Sequence, residues 1–282
     1  MTTLRQRGFT LLEAVAVMVV TAVVATMMTV FIRVPVNSYL DAVKRGEDAD
    51  MADHAMRRLT RDLRLALPNS IRVSGTSIEY LETRGGLRYL AEDDIDTPGG
   101  GSYLNWNDAT QRTFTVVGGV PGGRTAPVVG DYVVVYNLGP GQEPGNAWDC
   151  SVLCNRAQIA SLTGSTITMA TNVFAAQSAA GVALMSPARR FQVVSTPVTW
   201  RCDTATGRLT RYWGYAIQAA QSAIPAGGSS ALLAENVVSC DFRYASLANQ
   251  HSGLVGITLG VRPRGGSQTV NLVHQVHVDN TP

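Results

Sequence analysis

Charge is scarce in this chain, and what there is nearly cancels. Only 16% of the 282 residues are charged, and the formal net charge is +2. So small an excess excludes the broad basic face that nucleic-acid binding depends on, and no nucleic-acid partner is expected. Signatures of catalysis are missing as well. His54, His251, His274 and His277 are raw material for a hydrolase, but no serine stands in a G-x-S-x-G elbow. The run Gly118-Gly119-Val120-Pro121-Gly122-Gly123 lacks the Lys-Ser/Thr pair and the helix pattern of a phosphate loop, so it reads as a turn. The acidic run Glu92-Asp93-Asp94-Ile95-Asp96 lacks the D-x-D-x-D-G order and the distant Glu of an EF-hand, and reads as a solvated turn. His274 and His277 stand three apart in a strand pattern, which sends them to opposite faces and prevents a shared metal. No internal repeat of fixed period is present. These absences point away from an enzyme and from a bound cofactor.

What is present is an ordinary globular composition, 45% hydrophobic, plus one long apolar segment. Four cysteines, Cys150, Cys154, Cys202 and Cys240, allow three disulfide pairings. Their spacing favours Cys150 with Cys154 and Cys202 with Cys240. Free buried thiols and a zinc site are the alternatives, but only one pair is close and it is C-x-x-x-C, a poor match to the paired C-x-x-C of a four-cysteine zinc site. The tryptophans Trp106, Trp148, Trp200 and Trp213 are expected in the core, with stacking on sugars or bases as the alternative.

From Phe9 to Ile32 the chain is apolar except for Glu13. A helix of that length spans roughly 36 Å, enough to cross a bilayer. Arg5 and Arg7 precede it, which places the N-terminus in the cytoplasm and everything after Arg33 outside. Arg33, Lys44 and Arg45 weaken that asymmetry, but they sit among Asp41, Glu47 and Asp48. No A-x-A-like cleavage site follows Ile32, so the segment stays attached instead of leaving as a secretory signal. A plain anchor does not explain Glu13, because a carboxylate inside lipid is costly without a partner.

The string Arg7-Gly8-Phe9-Thr10-Leu11-Leu12-Glu13, running into an unbroken apolar helix, resembles the prepilin signature of type IV pilins and type II secretion pseudopilins. The resemblance implies cleavage between Gly8 and Phe9 by a prepilin peptidase, which also methylates the new Phe9 amine. It places no active site in this chain. Removing residues 1–8 takes away Arg5 and Arg7, so the net charge falls from +2 to 0. Glycine lets an extended backbone enter a tight protease cleft. The new amine and Glu13 lie one helical turn apart with opposite charge. Pairing Glu13 with a neighbouring subunit's amine avoids a large desolvation cost and sets the axial register between helices. The alternative, for a lone subunit, is that Glu13 pairs with its own Phe9 amine or is protonated.

Beyond the membrane, Pro35 is expected to kink or break the helix, with Asn37 or Ser38 capping a restart. Tyr39 to Leu67 reads as one amphipathic helix, with Leu40, Val43, Met51, Ala55, Leu59, Leu63 and Leu67 on the buried stripe. The opposite face carries Asp41, Glu47, Asp48, Asp50 and Asp53, then Arg57, Arg58, Arg61 and Arg64. That face is solvated or docks a neighbour. Pro68-Asn69 ends the helix. Thereafter the period becomes that of strands, with candidates at 70–73, 77–82, 87–91, 112–117, 132–136, 157–162, 166–169, 189–196, 198–202, 208–215, 237–244, 253–261 and 269–278. The expected fold is α+β and pilin-like: leader 1–8, transmembrane segment 9–34, amphipathic helix 35–68, and a mostly antiparallel β-rich periplasmic domain 69–282.

PVNSYLDA, RRLTRDLRLALPNSIRV, RRFQVVSTPVTWRC and GLVGITLGV…VHQVHVDNTP resemble the O-type minor pilins of mannose-sensitive haemagglutinin (MSHA) pilus systems. Shape and length also resemble the J-type minor pseudopilins of type II secretion. These resemblances imply a bacterial inner-membrane subunit that joins a pilus or pseudopilus. Its implied partners are the prepilin peptidase, other major and minor pilins, the inner-membrane assembly platform and the lipid bilayer. They leave open a tip adhesin or DNA-uptake subunit, and calcium at the 92–96 run, since some pseudopilins bind calcium.

Overall fold

The N-terminal run is rich in Leu, Ala, Met and Val and free of glycine from Phe9 to Arg45, so nothing interrupts a helical ladder except one proline. In the computed structural model, which describes residues 8–95, 101–247, 251–263 and 268–282, this run forms a single helix, α1, from Leu11 to Leu63. The helix passes through Pro35 without a break, and no restart occurs at Asn37 or Ser38. Proline removes one N–H, and the turns on either side hold the remaining ladder. Arg5, Arg7 and Asp96 lie outside the described residues.

The helix ends four residues earlier than its pattern indicates. Proline at 68 biases the residue before it toward extended backbone. Leu65 to Leu67 accordingly leave the helix and pair with a strand: the Leu67 N–H donates to the Leu81 carbonyl at 2.7 Å, and the Thr83 N–H to that of Leu65 at 2.8 Å. The buried stripe is Asp48, Ala52, Ala55, Met56, Leu59 and Leu63. Leu40, Val43 and Met51 are exposed, because the domain covers α1 only from about Asp48 onward. Asp48 itself belongs to the buried side and accepts from Asn236 Nδ2 at 3.3 Å.

Twelve antiparallel strands follow among the described residues: β1 (Arg72–Ser74), β2 (Ser77–Tyr89), β3 (Thr113–Val117), β4 (Tyr132–Val134), β5 (Arg156–Thr163), β6 (Thr166–Met169), β7 (Arg190–Asp203), β8 (Arg208–Trp213), β9 (Ser229–Ala234), β10 (Val237–Leu247), β11 (Ser252–Val261) and β12 (Val270–Asp279). One short helix, α2 (Val173–Ala179), lies between β6 and β7. The 77–82 and 87–91 candidates are one strand. Its Gly85-Gly86 stretch lies beside a bulge, where register slips against β7. The 189–196 and 198–202 candidates also fuse. Pro197 falls where the other flank of β7 passes from β4, which ends its pairing at Val194, to β8, which begins at Val198. β9 and α2 were not anticipated.

Strands β2 and β7 pair along most of their length and separate two large cores, with a smaller cluster of Leu67, Leu81, Val134, Ala147, Trp148 and Val194 beside them. Around Gly85–Tyr89 and Phe191–Val194, the pairings β2–β3–β6–β5–β4–β7–β2 close on themselves into a ring. Phe114, Val133, Ile159, Ile167, Phe174 and Phe191 fill it. Around Ile78, Tyr80, Val198 and Trp200, the other halves of the two strands join β1, β8 and β9 and face the three-stranded sheet β10–β11–β12. Ala52 to Leu63 of α1 pack into this second core with Phe242, Val255, Ile257 and Val276. Cys202 on β7 is bonded to Cys240 on β10 and ties the two sheets; Cys150 is bonded to Cys154. Trp148, Trp200 and Trp106 are buried, and Trp213 is half-buried.

Candidate functional site

The sequence places its functional residues at the start of α1, and the start is built by Thr10. Thr10 has extended backbone (φ −85°, ψ 149°), and its Oγ1 accepts the Glu13 N–H at 3.3 Å. A Thr three residues before Glu is a helix-start signature, so T-L-L-E fixes the first turn locally. Sequence reasoning passed over Thr10, although that spacing was there to be read. Gly8 and Phe9 therefore precede the helix. A Cβ at Gly8 would meet no atom of the chain within 4 Å, so nothing in the fold itself requires glycine there. Phe9 is 79% exposed and Leu11 84%. Glu13 sits in the first turn, where a negative charge complements the helix dipole, and it too is exposed.

From Leu11 to Ile32 no face of α1 is covered by the rest of the chain. This part of the helix is long and apolar enough to cross a membrane. The threonines inside it return their hydroxyls to the helix: Thr21 donates to the Val17 carbonyl at 2.7 Å, Thr26 to that of Ala22 at 2.8 Å and Thr29 to that of Ala25 at 2.7 Å. Their polar atoms are thereby satisfied without water. From Leu11 to Ile32, Glu13 is thus the only acidic or basic side chain on an otherwise apolar and uncovered surface.

At its other end α1 is clamped. Arg211 of β8, with a side chain only 7% exposed, donates through Nε to Asp62 at 2.7 Å and through a terminal nitrogen to Glu82 of β2 at 3.2 Å. It also lies 5.1 Å from the centre of the Trp213 ring. Burial raises the Glu82 carboxyl above the ordinary carboxylate range, with Arg211 pulling the other way. Burial favours neutral Arg211, but the charge and hydrogen bond of Asp62 together with Tyr80 and Glu82 outweigh it and raise the guanidinium above its ordinary pKa.

The remaining candidates resolve into structural parts. Asp94 and Asp93 pair with Arg189, and the Ala91 N–H and Arg189 hold Asp94 below the usual carboxylate range. Two carboxylates of the acidic run are therefore engaged by a guanidinium. His274 faces α1, with Nδ1 3.5 Å from Thr60 Oγ1, while His277 is exposed on the other face. Gly118 and Gly119 form a turn with positive φ.

Residues 3–29 match the family model of the prokaryotic N-terminal methylation motif. No curated protein and no solved structure matches the chain significantly. The match covers the capped helix start, Glu13 and most of the apolar surface, so the chain carries the N-terminal segment of a type IV prepilin-like protein, joined by one continuous helix to a β-rich domain.

Proposed function

We propose that this chain is a minor subunit of a type IV pilus, of the MSHA kind, that primes or caps filament assembly from the bacterial inner membrane. Prepilin peptidase cuts between Gly8 and Phe9 and methylates the Phe9 amine. Glu13 then pairs with the Phe9 amine of an adjoining pilin as the helices bundle. The observation that carries this reading is Glu13: an exposed carboxylate on an apolar helix that its own chain leaves uncovered from Leu11 to Ile32. Such a surface calls for lipid first and for other helices afterwards. The absence of any demand for glycine at position 8 within the fold supports recognition of that residue from outside. The MSHA assignment is supported by the similarity of strings such as RDLRLALPNS and VHQVHVDNTP, which also leads us to prefer it to a pseudopilin.

Mass spectrometry of the protein purified from membranes tests the processing step. The expected species begins at N-methyl-Phe9; a chain still beginning at Met1 refutes it. Glu13→Ala tests the assembly step. Membrane insertion is expected to persist, while pilus number or co-purification with other pilins falls. Normal piliation and normal co-purification in that variant would overturn the role given to Glu13.

A further inference from the structure

The closed ring of strands carries a recess at one mouth, and no residue of α1 lines it. Tyr89 ends β2, Arg189 stands just before β7, and residues 103–107 precede β3. Together with residues 91–93 they border a pocket of about 200 Å³. The mouth of a barrel is a common place for a small-ligand site. Trp106, only 6% exposed, is part of the lining, and among the described residues no group accepts its indole N–H. Its nitrogen is nevertheless accessible, unlike that of Trp200, which is sealed in. Tyr103 Oη accepts from Asn105 Nδ2 at 3.1 Å, which leaves its own O–H free to donate. Asn107 Oδ1 accepts from Ser178 Oγ at 3.1 Å, which leaves its amide N–H groups open. Three donors therefore border one recess. Glu92 supplies the opposite function, an exposed carboxylate with no ion-pair partner among the described residues. Asp93 and Arg189 also line the pocket, but they pair with each other at 3.3 Å, and Asp94 holds the same guanidinium.

We propose that this recess binds one uncharged sugar ring, the end residue of a glycan. Size argues first. The pocket is smaller than the ~300–1,000 Å³ of sites for drug-sized ligands, so it takes one ring and not a length of chain. Charge argues next. The only guanidinium is engaged by two carboxylates, so a phosphate or an anionic sugar would meet Glu92 with no free cation to offset it. An apolar ligand would leave three donors unpaired, each at the cost of its lost hydration. A sugar hydroxyl both accepts and donates. Its lone pairs take the protons of Trp106, Tyr103 and Asn107, and its own proton goes to Glu92. The C–H face of the ring meets the apolar surface of Tyr103 and of Met185, which is 49% exposed. The wall at Arg189 is set in advance. Its backbone is left-handed, at φ +55°, and is held there by the Tyr89 N–H donating to its carbonyl at 2.9 Å and by the two aspartates. A bulky residue keeps such a backbone only where its surroundings fix it, and a fixed wall spares the ligand the work of ordering it.

Saturation-transfer NMR on the full chain, purified in a detergent without a sugar headgroup, tests this. The probes are the methyl α- and β-glycosides of uncharged hexoses and N-acetylhexosamines. At least one is expected to bind saturably with a Kd on the order of 1 mM, which is what about a dozen ligand atoms supply. Trp106→Phe keeps an aromatic ring and removes the N–H. Glu92→Ala removes the acceptor at an exposed position. Each is expected to raise Kd roughly tenfold, the loss of one hydrogen bond from a partly desolvated site. Val152→Ala, on the exposed Cys150–Cys154 loop, is expected to leave Kd unchanged. Where Trp106→Phe lowers Tm, Glu92→Ala carries the test. An oligosaccharide ending in the bound sugar is expected to compete with the free glycoside, and failure to compete overturns the glycan-end assignment. No saturable binding by the folded chain, equal binding by wild type and Glu92→Ala, or tighter binding of a glucuronide or a short basic peptide overturns the site. None of these outcomes touches the pilin reading, which rests on the N-terminal segment.

Discussion

Replacing Arg211 with methionine tests how α1 is held to the β-rich domain. Methionine keeps much of the packing volume against Trp213 and removes the charge. Asp62, 15% exposed, and Glu82, 24% exposed, then face one another without the guanidinium that bridges them. Removing one partner of a buried ion cluster typically costs about 3–5 kcal/mol, because the other charges stay buried and unmatched. For a domain of this size each kcal/mol shifts Tm by about 2–4 °C, so the expected loss is roughly 6–20 °C at pH 7.5. The pH dependence gives a second readout. Glu82 already has a raised pKa in the folded state. A carboxyl of that kind stabilises the fold at low pH, and the contribution is lost as pH rises through its folded pKa. Without Arg211 the upward shift grows, since burial and Asp62 are then opposed only by the Ser195 hydrogen bond and the Arg84 charge. The variant should therefore recover part of its deficit on acidification from pH 7.5 to 5, measured against wild type by thermal unfolding in detergent. A loss of only one or two degrees at pH 7.5, or a deficit that does not shrink at pH 5, would refute the clamp.

Further perturbations probe the rest of the fold. Leu59→Ala opens a cavity where α1 enters the second core and should cost about 2–5 kcal/mol, read by denaturant unfolding. Replacing both Cys202 and Cys240 with alanine removes a link between strands 38 residues apart and should cost about 2–5 kcal/mol, against a much smaller effect for the Cys150–Cys154 pair, which closes a loop of only 4. Gly228 has φ +71°, and a Cβ there would lie 2.3 Å from the Trp213 carbonyl oxygen, so Gly228→Ala should lower Tm more than any conservative change at the exposed Val43.

Most of the helix was legible because its information is local, although Thr10 was passed over and the break expected at Pro35 does not occur. Thr10, Glu13 and the apolar run lie within one short window, and a window is what a sequence reader sees. Most strands were legible for the same reason, from β-branched runs such as Thr166–Met169. The failures were of two kinds. Gly85-Gly86 and Pro197 are punctuation in a single sequence, yet pairing with a neighbouring strand carries β2 and β7 across them. β9, whose sequence is Ser-Ser-Ala-Leu-Leu-Ala, has no β-branched residue and is a strand only because β8 offers it an edge. The clamp was illegible altogether: Arg211 lies 149 residues from Asp62 and 129 from Glu82, and the three meet only through the β2–β7 and β7–β8 pairings and the packing of α1 on that sheet.

The clamp matters to assembly because no linker separates anchor from domain. Asp62 is held by β8, and Leu65 to Leu67 are already paired to β2, so the C-terminal end of α1 has no freedom to slide or turn against the domain. Glu13 lies 49 residues earlier on the same continuous helix, about 74 Å away at 1.5 Å per residue. Any axial position that Glu13 takes against a neighbouring amine is therefore passed to the β-rich domain as a rigid offset, bent only as far as Pro35 allows.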